Sequence, residues 1–343
     1  MTVRVGVIGV GMIGEDHIRR LSRVVAGAQV TAVTDVNAER AGKVAAQFGG
    51  PDVHATGQQV INAANVDAVV VTSWGPTHEE YVLASIEAGK PVFCEKPLAT
   101  TAEACWRIVQ AEIACGRRLV QVGFMRRYDA GYRALKQTIL DGTIGAPLIV
   151  HCAHRNPAVP DSVTSEGVLI DSAVHEIDVV RWLLGEEIVA TTVLKPKRSK
   201  NAVGDLQDPM IVVFQTESGV LVDDELHVNI RYGYDIRGEV VGEYGVARLA
   251  DGNSIEVTTA AGRGGKVPAD WRERFVAAYD VEFQEWIDGI AAGQEASGPS
   301  AWDGYAATVV TDSCVAAYHK DGWAEVSLFD RPDFYGKQAT VTA

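Results

Sequence analysis

The chain begins with a strand pattern over residues 4–8 that breaks into Gly9-Val10-Gly11-Met12-Ile13-Gly14 and resumes as a helical pattern over 13–24. Strand, glycine turn and helix in that order leave little choice of fold. The first glycine allows the tight turn, the second lets the backbone approach a pyrophosphate, and the third lets the helix pack closely on the strand. The helix start also presents N–H groups and a partial positive charge to an anion. Asp35 ends the next predicted strand, 21 residues beyond Gly14. There a carboxylate can accept both hydroxyls of an adenosine ribose, and it repels a 2′-phosphate. The dinucleotide is therefore expected to be NAD rather than NADP, with Arg40 in the following helix working against that preference. Gly9, Gly11, Met12, Ile13, Gly14 and Asp35 form the expected cofactor cradle.

The first third of the chain keeps alternating. Short apolar strand patterns at 4–8, 30–35, 53–55, 68–72, 92–95 and 119–123 are separated by helical patterns at 13–24, 38–48, 60–64, 78–88 and 101–115. Nearly all-apolar strands in such a rhythm predict a parallel sheet covered on both faces. For the last helix, Thr100 with Glu103 reads as a capping box and Gly116 as its stop. After Gly123 the rhythm changes: a helix at 130–140, a strand at 147–155, a helix at about 169–184, then strand patterns at 188–194, 210–215, 220–228, 234–241 and 246–249. Turn signals at Ser218-Gly219 and Asp251-Gly252 make this sheet mostly antiparallel. A helix carrying Phe275, Tyr279, Phe283, Trp286 and Ile290 reads as core packing, and a last helix starts at a Ser300/Asp303 cap. The expected architecture is α/β: an N-terminal Rossmann domain (1–122) and a C-terminal α/β domain (123–343) with a large, mostly antiparallel open sheet.

Composition narrows the function classes. Lys plus Arg is 31 and Asp plus Glu is 45 in 343 residues, a net charge of −14. Such a surface repels phosphate backbones and anionic lipid, so nucleic acid and membrane are not expected partners. Five scattered cysteines without a CxxC pair argue against a disulfide framework and a structural zinc module. No signal-peptide pattern and no apolar run of about 18 residues occurs, so a cytoplasmic location is expected.

Two segments carry more chemistry than folding needs. Glu95-Lys96-Pro97 follows the fifth strand, at the end of a parallel sheet where ligands bind, and Pro97 forces the chain to turn. Read as one helix, Asp171, His175 and Asp178 share an arc of about 60° beside a separate apolar face. His175 with a neighbouring carboxylate is then a candidate general base. The alternatives at this segment are a surface helix with an incidental histidine, or a His/Asp metal pair that has no third ligand at useful spacing. Cys152 and His154 share a strand face.

Gly9–Gly14, Glu95-Lys96-Pro97, Gly123-Phe-Met125-Arg126-Arg127-Tyr128-Asp129 and the Asp171–His175 segment together resemble the Gfo/Idh/MocA oxidoreductases. His151-Cys-Ala-His154-Arg155-Asn156-Pro157, Tyr232-Gly-Tyr234-Asp235, the run from Arg274 to Asp280 and the run from Gly298 to Tyr305 are similar to members that act on inositols. The resemblance runs nearly end to end, apart from residues 158–166 and the tail after Leu328. It implies an active site between the two domains and a catalytic Lys96, Asp171 and His175, with Glu95 and Lys96 also at the cofactor. It implies a polyol pocket of Met125, Arg126, His154, Asn156, Asp171, His175 and Tyr234. It further implies NAD as cofactor, no metal, and a homo-oligomer, a tetramer, assembled through the open sheet. The implied reaction is hydride transfer from a ring secondary alcohol, with myo-inositol as substrate. Scyllo-inositol, another isomer, a pyranose such as glucose, a non-catalytic NAD-binding regulator and a zinc-dependent dehydrogenase are the rivals. Lys96, Arg126, His154 and His175 would make the pocket cationic against an acidic surface.

Overall fold

The computed structural model describes residues 1–250, 257–260, 262–320 and 322–336. They form two compact units, one of Met1–Met125 with Tyr279–Thr308 and Arg331–Tyr335, the other of Arg126–Ala278 with Val309–Asp330. A single division at residue 123 does not describe the later returns of the chain to the first unit. The turn expected at Asp251-Gly252 lies outside the described residues.

In the first unit, β1 (Val3–Ile8), α1 (Met12–Arg23), β2 (Ala28–Thr34), α2 (Ala38–Gln47), β3 (Asp52–Val53) and α3 (Gly57–Asn62) form one half of a parallel sheet. The other half is β4 (Ala68–Val71), α4 (His78–Glu87), β5 (Val92–Cys94), α5 (Ala102–Cys115) and β6 (Val120–Val122). The six strands lie in the order β3-β2-β1-β4-β5-β6, and every pairing is parallel. Strand order reverses between β1 and β4, where such sheets open a crevice for ligands. Val5, Val7 and all four residues of β4 are fully buried, which is why these strands read as continuous apolar runs. The cap of α5 is Thr101, not Thr100: Thr101 is extended, and its hydroxyl accepts from the Ala104 N–H. The capping-box spacing fits only Thr100 with Glu103, because Ala104 stands three residues beyond Thr101; the helix starts one residue later, with Glu103 in its first turn. Gly116 adopts the left-handed stop at φ 71°.

The second unit begins with α6 (Ala130–Leu140), β7 (Pro147–Arg155), α7 (Ser165–Val168) and α8 (Val174–Leu184). Then come β8 (Ile188–Leu194), β9 (Met210–Thr216), β10 (Leu221–His227), β11 (Asp235–Gly242) and β12 (Val246–Arg248). A hairpin of β13 (Val257–Thr259) and β14 (Gly262–Gly264) stands apart from the main sheet. Helices α9 (Trp271–Ala291) and α10 (Ala301–His319) each pass from one unit to the other, and β15 (Ala324–Glu325) follows. The main sheet runs β12-β11-β7-β10-β9-β8-β15, antiparallel throughout except for β7 beside β10. One face is buried (Val150, Cys152 and His154 on β7; Val222, Asp224 and Leu226 on β10). The other face is open and carries the close contact of His151 Nδ1 with Asp223 (2.5 Å) and the Arg155–Glu225 ion pair (2.5 Å).

The single helix expected over 169–184 is interrupted. Leu169–Ala173 forms a π-helical turn between α7 and α8, and it carries Asp171. A π turn resets the helical phase, so Asp171 does not share the arc computed at 100° per residue. Nor is α8 a surface helix, since ten of its eleven residues are buried. Asp178 is 1 % exposed and holds Arg127 (2.5 and 2.9 Å), a packing role rather than a place on a reactive face. The aromatic stripe of α9 packs as expected: Phe283 stacks on Phe93 at 4.4 Å and Trp286 lies edge-on to it at 5.8 Å. Ser300 and Asp303 exchange side-chain and backbone bonds at the start of α10.

Candidate active site

The first unit builds a cradle at the crevice between β1 and β4. Gly9 has φ +92°, and a Cβ there would lie 2.6 Å from the Ser73 backbone. At Gly14 a Cβ would meet the Gly9 carbonyl at 2.1 Å, so no side chain fits at either position. Gly11 differs: a Cβ added there would meet nothing within 4 Å, and as the cap of α1 it offers no side-chain bond to the first-turn N–H groups. Those donors remain for a ligand, and the space a Cβ would fill is the approach a pyrophosphate needs. Met12 is exposed and Ile13 half-buried beside them.

Asp35 is tied to this loop. Its Oδ2 accepts from the Val10 N–H and its Oδ1 from the Asn37 N–H, both at 2.8 Å. The carboxylate is thereby oriented at the end of β2, with lone pairs left for ribose hydroxyls. These residues fit a dinucleotide with an unphosphorylated ribose. Trp74, 78 % exposed just after β4, belongs to the same rim. An aromatic residue at a strand's carboxyl end was its only sequence signal.

Beyond β5, Lys96 and Pro97 are half-buried at the same edge of the sheet. Glu95 turns inward instead: it is 6 % exposed, and its Oε1 lies 2.7 Å from His17 Nε2.

The second unit gathers the polar residues expected in the pocket. Arg126 is 1 % exposed, in the short turn Met125–Tyr128, and Nη1 donates to Glu176 Oε1. His154 Nδ1, on β7, lies 3.1 Å from Glu176 Oε2 and 3.2 Å from Arg126 Nη2. Burial works most strongly against the Arg126 cation, but the Glu176 charge, the hydrogen bond to it and the nearby Tyr132 and Tyr234 together outweigh burial and raise the guanidinium pKa. Burial likewise opposes the Glu176 carboxylate, while Arg126 and His154 hold its pKa below the usual range. Tyr234 meets His154 edge-on at 5.7 Å, and burial pushes its phenol up to about 12. The His175 ring lies 6.2 Å from that of His154, and Asp171 is exposed one turn earlier. Asn156 takes backbone bonds with His227 and Ile230, and its side-chain Oδ1 is buried without a hydrogen-bond partner. Met125, counted with the first unit, is 2 % exposed.

Arg126, His154, His175, Asn156 and Tyr234 thus fall in one unit, and the glycine loop, Asp35 and Lys96 in the other. Glu176 was not anticipated. Its signal is a carboxylate beside His175 in a helix otherwise rich in apolar residues. Asp224 was also missed: it lies on the buried face of β10 with neither carboxyl oxygen hydrogen-bonded. Among the described residues, no group of three or more His, Cys, Asp or Glu could hold a metal ion. No disulfide joins the five cysteines, and no described helix is long and apolar enough to cross a membrane.

An oxidoreductase family with an NAD-binding Rossmann fold matches residues 3–124, and the C-terminal α/β domain of the same family matches residues 136–326. Inositol 2-dehydrogenase 3 of Saccharopolyspora erythraea is 56 % identical over 98 % of this chain and 99 % of its own length. Inositol 2-dehydrogenase of Burkholderia lata is 52 % identical over the same shares. A solved myo-inositol dehydrogenase of Lactobacillus casei, in complex with NAD(H) and myo-inositol, superposes with a TM-score of 0.95. It is 38 % identical, covering 98 % of this chain and 100 % of that one. A scyllo-inositol dehydrogenase of the same organism, with NAD(H) and scyllo-inositol, gives a TM-score of 0.88 at 26 % identity, covering 95 % of this chain and 99 % of that one. With a glycine cradle fitted to a dinucleotide and both domains of the family matched, the chain belongs to the Gfo/Idh/MocA oxidoreductases and is an NAD-dependent enzyme.

Proposed function

We propose that the chain oxidises a ring secondary alcohol of an inositol, myo-inositol in the first place, to the corresponding ketone. The observation that carries this reading is the buried polar cluster of the second unit, in which Asn156 Oδ1 waits for a donor and Glu176 holds Arg126 and His154 in place. Buried donors and acceptors of this kind recognise a hydroxyl pattern and penalise an epimer that leaves them unpaired. The relatives named for inositol, above all the one solved with myo-inositol, support the same substrate class.

NAD, when bound, supplies the nicotinamide carbon that accepts the hydride. The glycine loop and the start of α1 would hold its pyrophosphate, and Asp35 its ribose. As the carbon loses hydride, His175 takes the proton of the reacting hydroxyl, and the C–O bond becomes a carbonyl. Asp171 supports the cation that forms on the imidazole. Lys96 donates a hydrogen bond to the same oxygen and steadies its developing charge. Arg126, His154, Asn156 and Tyr234 read the remaining hydroxyls, with Met125 as the apolar wall. Glu95, turned inward, acts through Lys96 rather than on the cofactor. In this reading residues 1–122 serve the cofactor and 123–343 the substrate, while the later segments of the first unit only pack against it.

The open face of the second sheet, where Val241, Ile149 and Leu221 lie in one cross-strand row, is the surface we assign to homo-oligomer contact, as a tetramer. A cytoplasmic location, where NAD is plentiful, completes the reading.

The test is a steady-state panel of myo-inositol, scyllo-inositol, other isomers and glucose, each with NAD and NADP. The reading expects the highest kcat/KM with myo-inositol and NAD. A tenfold preference for a pyranose would replace the substrate, and tight NAD binding without turnover would favour a regulator.

A further inference from the structure

The segment that carries Lys96 is gripped from behind. Glu95 Oε1 lies 2.7 Å from His17 Nε2, and Glu95 Oε2 accepts from the Lys96 backbone N–H at 3.2 Å. His17 is fully buried on α1, three residues after Gly14. Its other ring nitrogen, Nδ1, lies 2.9 Å from Arg20 Nη1. A guanidinium can only donate, so Nδ1 accepts and the imidazole proton sits on Nε2, facing Glu95. Arg20 is itself fixed by Asp16 at 2.9 Å and Asp280 at 2.7 Å. The imidazole is packed among Phe93, Tyr279 and Phe283, with ring centroids 5.9, 5.5 and 4.5 Å away. Gly123 closes the other side: a Cβ there would lie 3.1 Å from the Glu95 carboxyl atoms. His78 reaches the far end of the segment, its ring nitrogens 2.8 Å from the Pro97 carbonyl and 2.9 Å from that of Ser73.

We propose that His17 is a positioning residue for catalysis: it orients the Glu95 carboxylate, which in turn fixes the backbone of Lys96 at the end of β5. Because His17 stands on the helix whose first turn forms the glycine loop, the same bond ties the dinucleotide cradle to the lysine. The inference rests on the reading of Lys96 as the group that bonds the reacting oxygen. A lysine displaced by an ångström loses much of its effect on the transition state while the cradle still binds cofactor.

The experiment uses the full chain and its His17→Leu, His17→Gln, Glu95→Gln and Lys96→Ala variants, with myo-inositol and NAD. It reads kcat, KM, NADH affinity by fluorescence and thermal midpoint. His17→Leu is expected to lower kcat about a hundredfold with NADH affinity changed less than about threefold. His17→Gln, whose amide N–H replaces Nε2–H, is expected to recover most of that loss, and Glu95→Gln to reproduce it. Unchanged kcat in a folded His17→Leu overturns the proposal, as does a parallel loss of kcat, NADH affinity and thermal midpoint that glutamine does not rescue. Should His17→Leu fail to fold, unchanged kcat in Glu95→Gln overturns it instead. Full turnover in Lys96→Ala defeats the underlying reading of the lysine. An inactive Lys96→Ala beside a fully active His17→Leu defeats only the positioning role.

Discussion

Glu176 reaches His154 across the core of the second unit, Oε2 to Nδ1 at 3.1 Å, and gives its other oxygen to Arg126. A carboxylate with no exposure thus sets the direction of two side chains proposed to read the substrate. Breaking a buried pair of this kind leaves an uncompensated charge and costs about 3–5 kcal/mol. Glu176→Gln is therefore expected to lower the denaturant midpoint and to raise KM for the polyol more than it lowers kcat. Equilibrium unfolding and initial rates check both, and an unchanged KM would remove Glu176 from the pocket's scaffolding.

His17 makes stability depend on pH in a definite direction. Burial depresses its folded pKa below the ordinary histidine value near 6.5. The folded state then binds fewer protons than the unfolded chain, so this contribution is complete above about pH 6.5 and fades as pH falls toward the folded pKa. The limiting slope for one proton is about 1.4 kcal/mol per pH unit. Wild type should therefore lose stability more steeply than His17→Gln between about pH 7 and 5. Parallel curves from chemical denaturation would contradict this.

Asp224 acts with the opposite sign. Burial, and then the nearby Glu176 charge, raises its pKa well above the ordinary aspartate value, which favours the protonated form in the fold. The unfolded chain releases that proton above about pH 4, and the penalty grows with pH until the folded pKa is reached. Asp224→Asn, which keeps the shape and cannot ionise, should raise the thermal midpoint at pH 8 by several degrees, with the gain shrinking toward pH 4. A gain that stays the same at both pH values would refute the assignment.

Asp35 is the residue proposed to set the choice of dinucleotide. Asp35→Ser removes the charge that repels a 2′-phosphate and leaves Arg40 in the next helix to attract it. NAD affinity should fall at least tenfold and NADP affinity should rise. Fluorescence titration with NADH and NADPH reads both, and an unaltered ratio would place the determinant elsewhere.

Much of this site is visible in the residues themselves. Gly9, Gly14 and Asp35 are dictated by local backbone needs, so the cradle is readable from spacing alone. The Ser300/Asp303 cap and the packed stripe of α9 are equally local. Thr101 is not readable as the cap because the capping-box spacing points to Thr100 with Glu103, whereas Ala104 stands three residues beyond Thr101. The π turn at Leu169–Ala173 escapes a reading that assumes a constant helical period, and it broke the expected face of Asp171, His175 and Asp178. The partners of Glu95, Asp178 and Glu176 are distant in sequence: His17 is 78 residues from Glu95, and Arg127 is 51 residues from Asp178. No period carries such a pairing. Strands β13, β14 and β15 are too short, at three, three and two residues, to show any alternation.

The central claim is that Lys96 and His175 carry the hydride-transfer step on an inositol. It is tested most directly by initial rates of NADH formation from myo-inositol in wild type, Lys96→Ala and His175→Ala, with NADH binding measured on each. The account predicts that both variants still bind NADH and lose at least about a hundredfold in kcat. Undiminished turnover in both would contradict it.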